Sequence, residues 1–479
     1  METDDFSNEN LEHSPASASL LPPLPVTTML RLGLFQLGLG MMSVLIFGVL
    51  NRVLIKELGV PADIASVILA LTLFVAPARV WFGYLSDSKP LWGYHRTGYV
   101  LMGAGSLAAI AFLAVQVMWQ VGNSLSTSSW SYQTYAWTGL LAFLFALYGL
   151  AVSACSTPFA TLLVDVSDEE NRSKLVGIDW SMLISGTIVG AITIAVLLKK
   201  LPPNAPPDLL QAGINRLFLV VPAVVIGLAV IATWGVEKKY SRYALRSTLA
   251  NDEERITLGR AWKILTASRQ TQVFFTFLIV MTIGLFMQDP VLEVYGGDVF
   301  NMQIGATASL NAFWGTGTLI GIIVAGFFLT PRLGKRKTAK WGCLLVVFSL
   351  VWVILSGFTG NPLVLQVALL FFGLVSGVVT TGAITLMLDL TAAETAGTFI
   401  GAWGLAQALA RGLATVSGGA VLSLGKKLFP NLVLAYGLVF ALQAACMLLA
   451  VWFLGRVNVQ EFRSNAKQAI AAVIEGELD

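Results

Sequence analysis

Arg411 is the residue hardest to explain without a function. It stands in a stretch dominated by Gly, Ala, Leu and Thr, with Gln407 one helical turn away and no acid near it in sequence. A guanidinium in such surroundings needs a partner, a set of carbonyls or a water-filled cavity. It can brace helices through backbone carbonyls, or it can meet a substrate or an anionic headgroup. A second group closes another apolar run: Gln288, Asp289, Glu293, Tyr295, Gly296 and Gly297, around Pro290. Its two carboxylates read as a solvated rim or as a loop that touches a ligand. A third group, Arg79, Trp81, Gly83, Asp87, Arg96, Asp165, Arg172 and Asp179, places acids and bases where successive apolar runs end. Such charges can hold helix ends together or latch one conformational state against another.

No residue pattern points to an enzyme. There is no phosphate-binding glycine loop, zinc-protease motif, paired catalytic acids or nucleophile elbow in a plausible context. Cys155, Cys343 and Cys446 share no metal-ligand spacing and read as small core hydrophobes. The two histidines, His13 and His95, lie in a polar tail and a loop. Thirty Lys and Arg against 27 Asp and Glu leave no charge excess of the kind that binds nucleic acid.

What must position these residues is a set of membrane helices. The 479 residues are 56% hydrophobic and 12% charged, against roughly 25% charged in soluble proteins. The apolar residues recur in long uncharged runs, such as 140–164 and 371–388, that match a ~30 Å hydrocarbon core. An all-α polytopic protein of about twelve spanning helices in the lipid bilayer is predicted. The spans are 30–54, 62–85, 97–120, 138–164, 175–198 and 214–236, then 271–294, 304–330, 339–358, 362–388, 396–423 and 431–454. Residues 1–28 read as a disordered tail, 29–236 as one six-helix bundle and 270–455 as a second. The linker 237–269 has the Asn251/Glu254 spacing of a capping box and reads as a short amphipathic helix. The tail 456–479 has apolar residues at helical spacing. Lys and Arg concentrate on the segments that share a side with the termini, so both termini are expected to be cytoplasmic or stromal.

The halves look duplicated. Asp165-Val-Ser-Asp-Glu-Glu170 parallels Asp389-Leu-Thr-Ala-Ala-Glu394, each followed at a constant offset by a glycine, Gly177 and Gly401. Gly83-Tyr-Leu-Ser-Asp87 with Arg96 parallels Gly326-Phe-Phe-Leu-Thr330 with Lys335-Arg336-Lys337. This layout resembles the major facilitator superfamily. Gly83, Leu85, Asp87, Gly93 and Arg96 meet its loop signature, with three extra residues before Gly93 and no Asp in the second copy. Gly186/Gly190, Gly317/Gly321, Gly373/Gly377 and Gly397/Gly401 have the spacing of close helix contacts. The resembled fold places such contacts between the halves, at helices five with eight and two with eleven.

Depth separates the charges. At 1.5 Å per residue, Arg79 and Asp179 lie only about 8 Å in, and Arg411 about 22 Å. Helices one, four, eight and ten carry no mid-depth acid or base. The few buried polar side chains along the spans are amides: Gln36, Gln116, Asn311, Gln407 and Gln443. An interior of this kind suits a hydrophobic or amphiphilic ligand better than a sugar or an ion.

Longer blocks carry a narrower likeness. They are Arg31–Gly40, Gly48-Val-Leu-Asn-Arg52, Glu57-Leu-Gly-Val-Pro61, Pro77-Ala-Arg-Val-Trp-Phe-Gly83, Gly93-Tyr-His-Arg-Thr97 and Gln288-Asp-Pro-Val-Leu-Glu-Val-Tyr-Gly-Gly297. From about Arg31 to Arg456 the chain resembles the PucC/LhaA family, the bacteriochlorophyll-delivery branch of the superfamily. The resemblance implies assembly of light-harvesting complexes, with (bacterio)chlorophyll as cargo and antenna or photosystem pigment-protein subunits as partners, in a photosynthetic membrane. With no histidine in the bilayer, a tetrapyrrole's magnesium would take an oxygen ligand, which makes Gln36, Asn51, Gln288 and Glu293 candidates. An alternating-access carrier of a hydrophobic or anionic solute, with Arg411 in its cavity, is the competing expectation.

Overall fold

In the computed structural model, residues 24–167, 169–199, 206–241, 269–390 and 396–457 are described, with side chains at 169–173, 271, 388–390 and 396–403 excepted. The expected linker helix and C-terminal helix, and Arg172, Asp389, Gly397 and Gly401 as site or packing residues, lie outside this description. Among the described residues, eleven helices are long and apolar enough to cross a bilayer. They are α1 (Val26–Glu57), α2 (Ala62–Ser88), α3 (Thr97–Ser128), α4 (Tyr132–Val166), α5 (Glu169–Leu198), α6 (Pro207–Tyr240), α8 (Ile304–Leu333), α9 (Lys335–Thr359), α10 (Pro362–Leu390), α11 (Ala396–Leu428) and α12 (Leu432–Arg456). A backbone in hydrocarbon must satisfy its hydrogen bonds within its own segment, so uncharged runs of this length become helices.

The twelfth, α7, is broken into Arg269–Phe286 and Leu292–Phe300. Pro290 lacks an N–H and biases Asp289 away from helical backbone, so the run predicted as one span divides there. Tight turns bridge the gap, with Val291 N and Leu292 N both donating to Gln288 O at 2.8 and 2.9 Å. In α1, residues Val44–Leu50 and Val53–Glu57 wind as π turns, which re-aim Gly48, Asn51 and Arg52 relative to a regular helix.

Helix pairing repeats between the halves. Contacts α1·α5, α1·α6, α2·α4, α3·α4 and α3·α6 recur as α7·α11, α7·α12, α8·α10, α9·α10 and α9·α12. Between the halves, α2 packs on α11 and α5 on α8, a pair of contacts that exchange under the same duplication. The chain thus has the two pseudo-symmetric six-helix halves that its sequence predicts.

The glycine pairs do different work from that expected. A Cβ on Gly186 would meet the Leu37 carbonyl, and one on Gly190 would lie 2.7 Å from Met41 Cα, both on α1. Gly317 and Gly321 face Leu370 and Leu374 of α10, while Gly373 and Gly377 face Trp314 and Thr318 of α8. These glycines therefore close α1 on α5 and α8 on α10 inside each half. The contact between halves uses single glycines instead: Gly419 against Ala62 and Ser66, Gly412 against Phe74, and Gly305 against Ala195. The spacing reports that two backbones approach, and only the fold says which two.

Candidate functional site

Three polar clusters sit at three depths. The first is on the face where the described residues begin, at Leu24, and end, at Val457. Arg96, 2% exposed at the start of α3, donates from Nε to Asp165 Oδ2 at 2.9 Å, and its Nη1 lies 2.6 Å from Asp87 Oδ1. Nη1 also donates to Ser86 Oγ at 2.7 Å. Glu237, at the end of α6, accepts from the backbone N–H groups of His95, Arg96 and Thr97 at 2.7, 3.1 and 2.6 Å. A carboxylate on the exposed amides of a helix N-terminus satisfies groups that have no intrahelical partner and opposes the helix dipole. Four helices are thereby tied at one point. The three extra loop residues form a tight turn, Leu91 paired to Tyr94, with Trp92 and Gly93 at φ 55° and 78°.

The single terminal-face cluster expected from sequence is smaller than predicted. Asp87, Arg96 and Asp165 assemble, but Asp179 is elsewhere, accepting from Gln36 Nε2 at 2.9 Å between α5 and α1. Arg79 and Trp81 are exposed on α2. Gly83 has an open face, with Thr157 Cγ2 the nearest atom to a Cβ there, at 3.6 Å. Hydropathy places these residues near one depth, but the azimuth of each helix sends them to different neighbours.

The second cluster lies in the middle of the molecule and carries the largest correction. Asp289 is not part of a solvated rim: it accepts from Arg411 Nε and Nη2 at 3.1 and 2.8 Å. The guanidinium also lies 4.5 Å from the Phe286 ring and 6.0 Å from that of Phe47, so Arg411 is held by an acid and two aromatic faces rather than by carbonyls. Gln407 is half-buried one turn away. The pair faces a cavity of about 60 Å³, lined also by Ser43, Gly48, Thr187, Gln288, Asn311 and Trp314. The interior thus holds a charge pair, in which the mid-depth Arg411 expected from sequence meets an acid read there as lying at the outer end of helix seven. It comes from α7 and α11, where the break at Pro290 turns an apparent helix end into the wall of a cavity.

The third cluster joins the halves on the face away from the termini. Glu293 is 2% exposed, accepts from Asn311 Nδ2 at 2.7 Å and packs on Gly48, where a Cβ would collide with its carboxylate. Asn51 Nδ2 donates to Pro290 O at 2.5 Å. Arg52 is 2% exposed and donates to Thr307 Oγ1 and, at 2.8 Å, to Met302 O. Lys56 and Lys426 flank Asp298 at 3.4 and 3.0 Å, and Tyr436 Oη donates to it at 2.6 Å. Tyr295 is fully buried against Phe300, Tyr436 and Phe440. Gly296 and Gly297 let this segment close on α8 and α1. At the start of α2, Asp63 Oδ1 accepts from Ser423 Oγ of α11 at 3.1 Å, which adds a further bond between the halves on this distal face.

Of the four candidate magnesium ligands, Asn51, Gln288 and Glu293 are each at most 2% exposed; Gln288 Oε1 accepts from Gln443 and Glu293 Oε1 from Asn311, while Asn51 Oδ1 and Glu293 Oε2 are enclosed without a hydrogen bond. Gln36 alone keeps a part-exposed side chain. A cavity of about 60 Å³ holds a few waters, whereas ligand-sized pockets run to ~300–1,000 Å³. No tetrapyrrole fits there in this state. Sequence reasoning does not mark Glu237, the first residue of the expected linker, or the pairing roles of Arg52 and Asp298.

A family model described as "PUCC protein" matches residues 49–462. Protein PucC of Rhodobacter capsulatus is 30% identical over 445 residues, covering 90% of this chain and 92% of that relative. A protein of the same organism named bacteriochlorophyll synthase 44.5 kDa chain is 29% identical over 428 residues, 88% of this chain and 92% of its own. Among solved structures, a bacterial homologue of the iron transporter ferroportin superposes with a TM-score of 0.66 at 15% identity, over 90% of this chain and 98% of that one. A bacterial homologue of the lysosomal transporter Spinster gives 0.62 at 14%, over 94% and 98%. At such identities the likeness is one of fold, that of major facilitator transporters.

Proposed function

The chain belongs to the PucC family, and we propose that it acts as an assembly factor for light-harvesting or photosystem complexes. It delivers (bacterio)chlorophyll or chaperones pigment-protein subunits, in a photosynthetic membrane, with both termini on the cytoplasmic or stromal side, and it is not an enzyme. The observation that carries this reading is the likeness to Protein PucC over nine-tenths of the chain. The geometry adds a constraint. The cavity beside Arg411 and Asp289 admits only water-sized occupants, so on this reading a pigment is carried elsewhere, with the lipid-facing surface one place for it. That surface offers aromatic rings such as Trp81, Trp341, Phe348 and Phe358, all more than half exposed. Affinity purification of the tagged protein in mild detergent is expected to bring down tetrapyrrole absorption or antenna polypeptides. A colourless protein free of such partners would count against this function.

A second reading is favoured by the Arg411–Asp289 pair, which faces the cavity between the halves with the Arg411 side chain 37% exposed. On this reading the protein carries a hydrophobic or anionic solute by alternating access, and Arg411 meets it. Flux into proteoliposomes would then fall by at least about tenfold in Arg411→Ala, because the cavity loses its cation and Asp289 loses its partner. Undiminished flux would remove Arg411 from any such path.

A further inference from the structure

We infer that Glu293 is a proton-binding site, and that its protonation favours closure of the distal contact between the two halves. This goes beyond the pigment reading and does not depend on what the cargo is.

The carboxyl group is 2% exposed and receives one hydrogen bond, from Asn311 to Oε1. Its other oxygen, Oε2, is fully buried with no hydrogen-bond partner. A carboxylate buried with one neutral donor is costly to hold ionised, since taking a charge out of water must be repaid by pairing or by several hydrogen bonds. A proton on Oε2 turns this unpartnered acceptor into a donor and removes the buried charge.

Of the surrounding charges, the Arg52 guanidinium attracts Glu293 through space without a hydrogen bond to it, and the others are paired elsewhere. On α1, the Arg52 guanidinium bonds to Thr307 and to Met302 O and lies 3.8 Å from Glu57. Its Nε has no partner, so it does not bond Glu293. Lys56, also on α1, is with Asp298. On α7 and α11, Asp289 and Arg411 satisfy each other, and Lys426 completes the Asp298 pair. On α7 and α12, the hydroxyls of Tyr295 and Tyr436 donate to Val353 O and Asp298. From α8 the neutral Asn311 meets Glu293, and Thr307 accepts from Arg52.

The path for the proton is short. Gly48 and Asn311, both touching Glu293, also line the central cavity. On opening, the O–H bond of Glu293 breaks and its proton passes to water admitted between the halves. The carboxylate then gains solvation that the closed state denies it. Because the closed state binds the extra proton, raising the pH drives the equilibrium toward the open one.

The test uses the full-length protein in lipid nanodiscs, with Cys155, Cys343 and Cys446 replaced and spin labels at Ser126→Cys and Thr359→Cys. These exposed positions lie at the distal ends of α3 and α9. The population with a long inter-label distance is expected to rise by at least about tenfold between about pH 5 and about pH 9. In Glu293→Gln, which has the shape of the protonated acid, it should stay low throughout. The infrared C=O band of a protonated carboxyl should also be lost in that variant. A parent protein indifferent to pH, a Glu293→Gln protein that opens as the parent does, or an unchanged band would each overturn the inference. So would a failure of Glu293→Gln to fold, because a neutral group of the same shape must be tolerated there.

Discussion

Replacing Arg96 by alanine is expected to cost about 3–5 kcal/mol of stability, the scale on which one partner of a buried ion pair is lost. Asp165 is 4% exposed and would be left in the helix bundle without its 2.9 Å donor. The Asp87 side chain, by contrast, is 55% exposed, so Asp87→Asn should cost under about 1 kcal/mol. Thermal unfolding in detergent measures both. Arg96→Lys should recover only part of the loss, since an ammonium cannot present Nε and Nη1 to two carboxylates at once. Combining Arg96→Ala with Asp165→Asn should cost less than the sum of the two, because both changes remove the same 2.9 Å bond. Equal losses from Arg96→Ala and Asp87→Asn would show that the cluster does not hold these helix ends.

A comparable effect is expected where α1 meets α5. Gly40 faces the Leu183 carbonyl and the Gly186 backbone, and Gly186 faces the Leu37 carbonyl in return. A side chain at either position meets main chain, which cannot rotate away as a side-chain tip can. Gly186→Leu must therefore separate the two helices. Overpacking costs about 1–3 kcal/mol where side chains can yield, and more where they cannot, so loss of the monodisperse folded protein is the expected result. Gly139 and Gly227 face open space, where a Cβ would have no neighbour within 4 Å. Their replacement by alanine should be neutral or stabilising by up to about 1 kcal/mol, the difference in helix propensity. Size-exclusion profiles and unfolding midpoints of the two sets separate a packing role from a general intolerance of glycine replacement.

Much of the fold is legible in one dimension. An uncharged run near twenty residues must be a helix in lipid, because nothing else satisfies its backbone there. The duplication shows in Asp165/Asp389 and in the paired loop signatures, and the family shows in the blocks around Arg31, Arg79 and Gln288. Pro290 signals the break in α7, although not its consequence. Hydropathy ranks Asp289 and Glu293 as helix-end residues. It says nothing of a guanidinium 122 positions later or an asparagine across the next helix.

The amino-acid order by itself determined which segments are apolar enough to cross a bilayer, which of them correspond between the halves and which family the chain joins. Those properties depend on local apolarity and on short residue patterns. Tertiary structure alone decided that the paired glycines seal helices within each half, that Arg411 is answered by Asp289, and that Glu293 is enclosed. Each of these depends on how a helix is rotated about its axis and on which helix lies opposite. That choice is made by packing among all twelve, and no single segment encodes it.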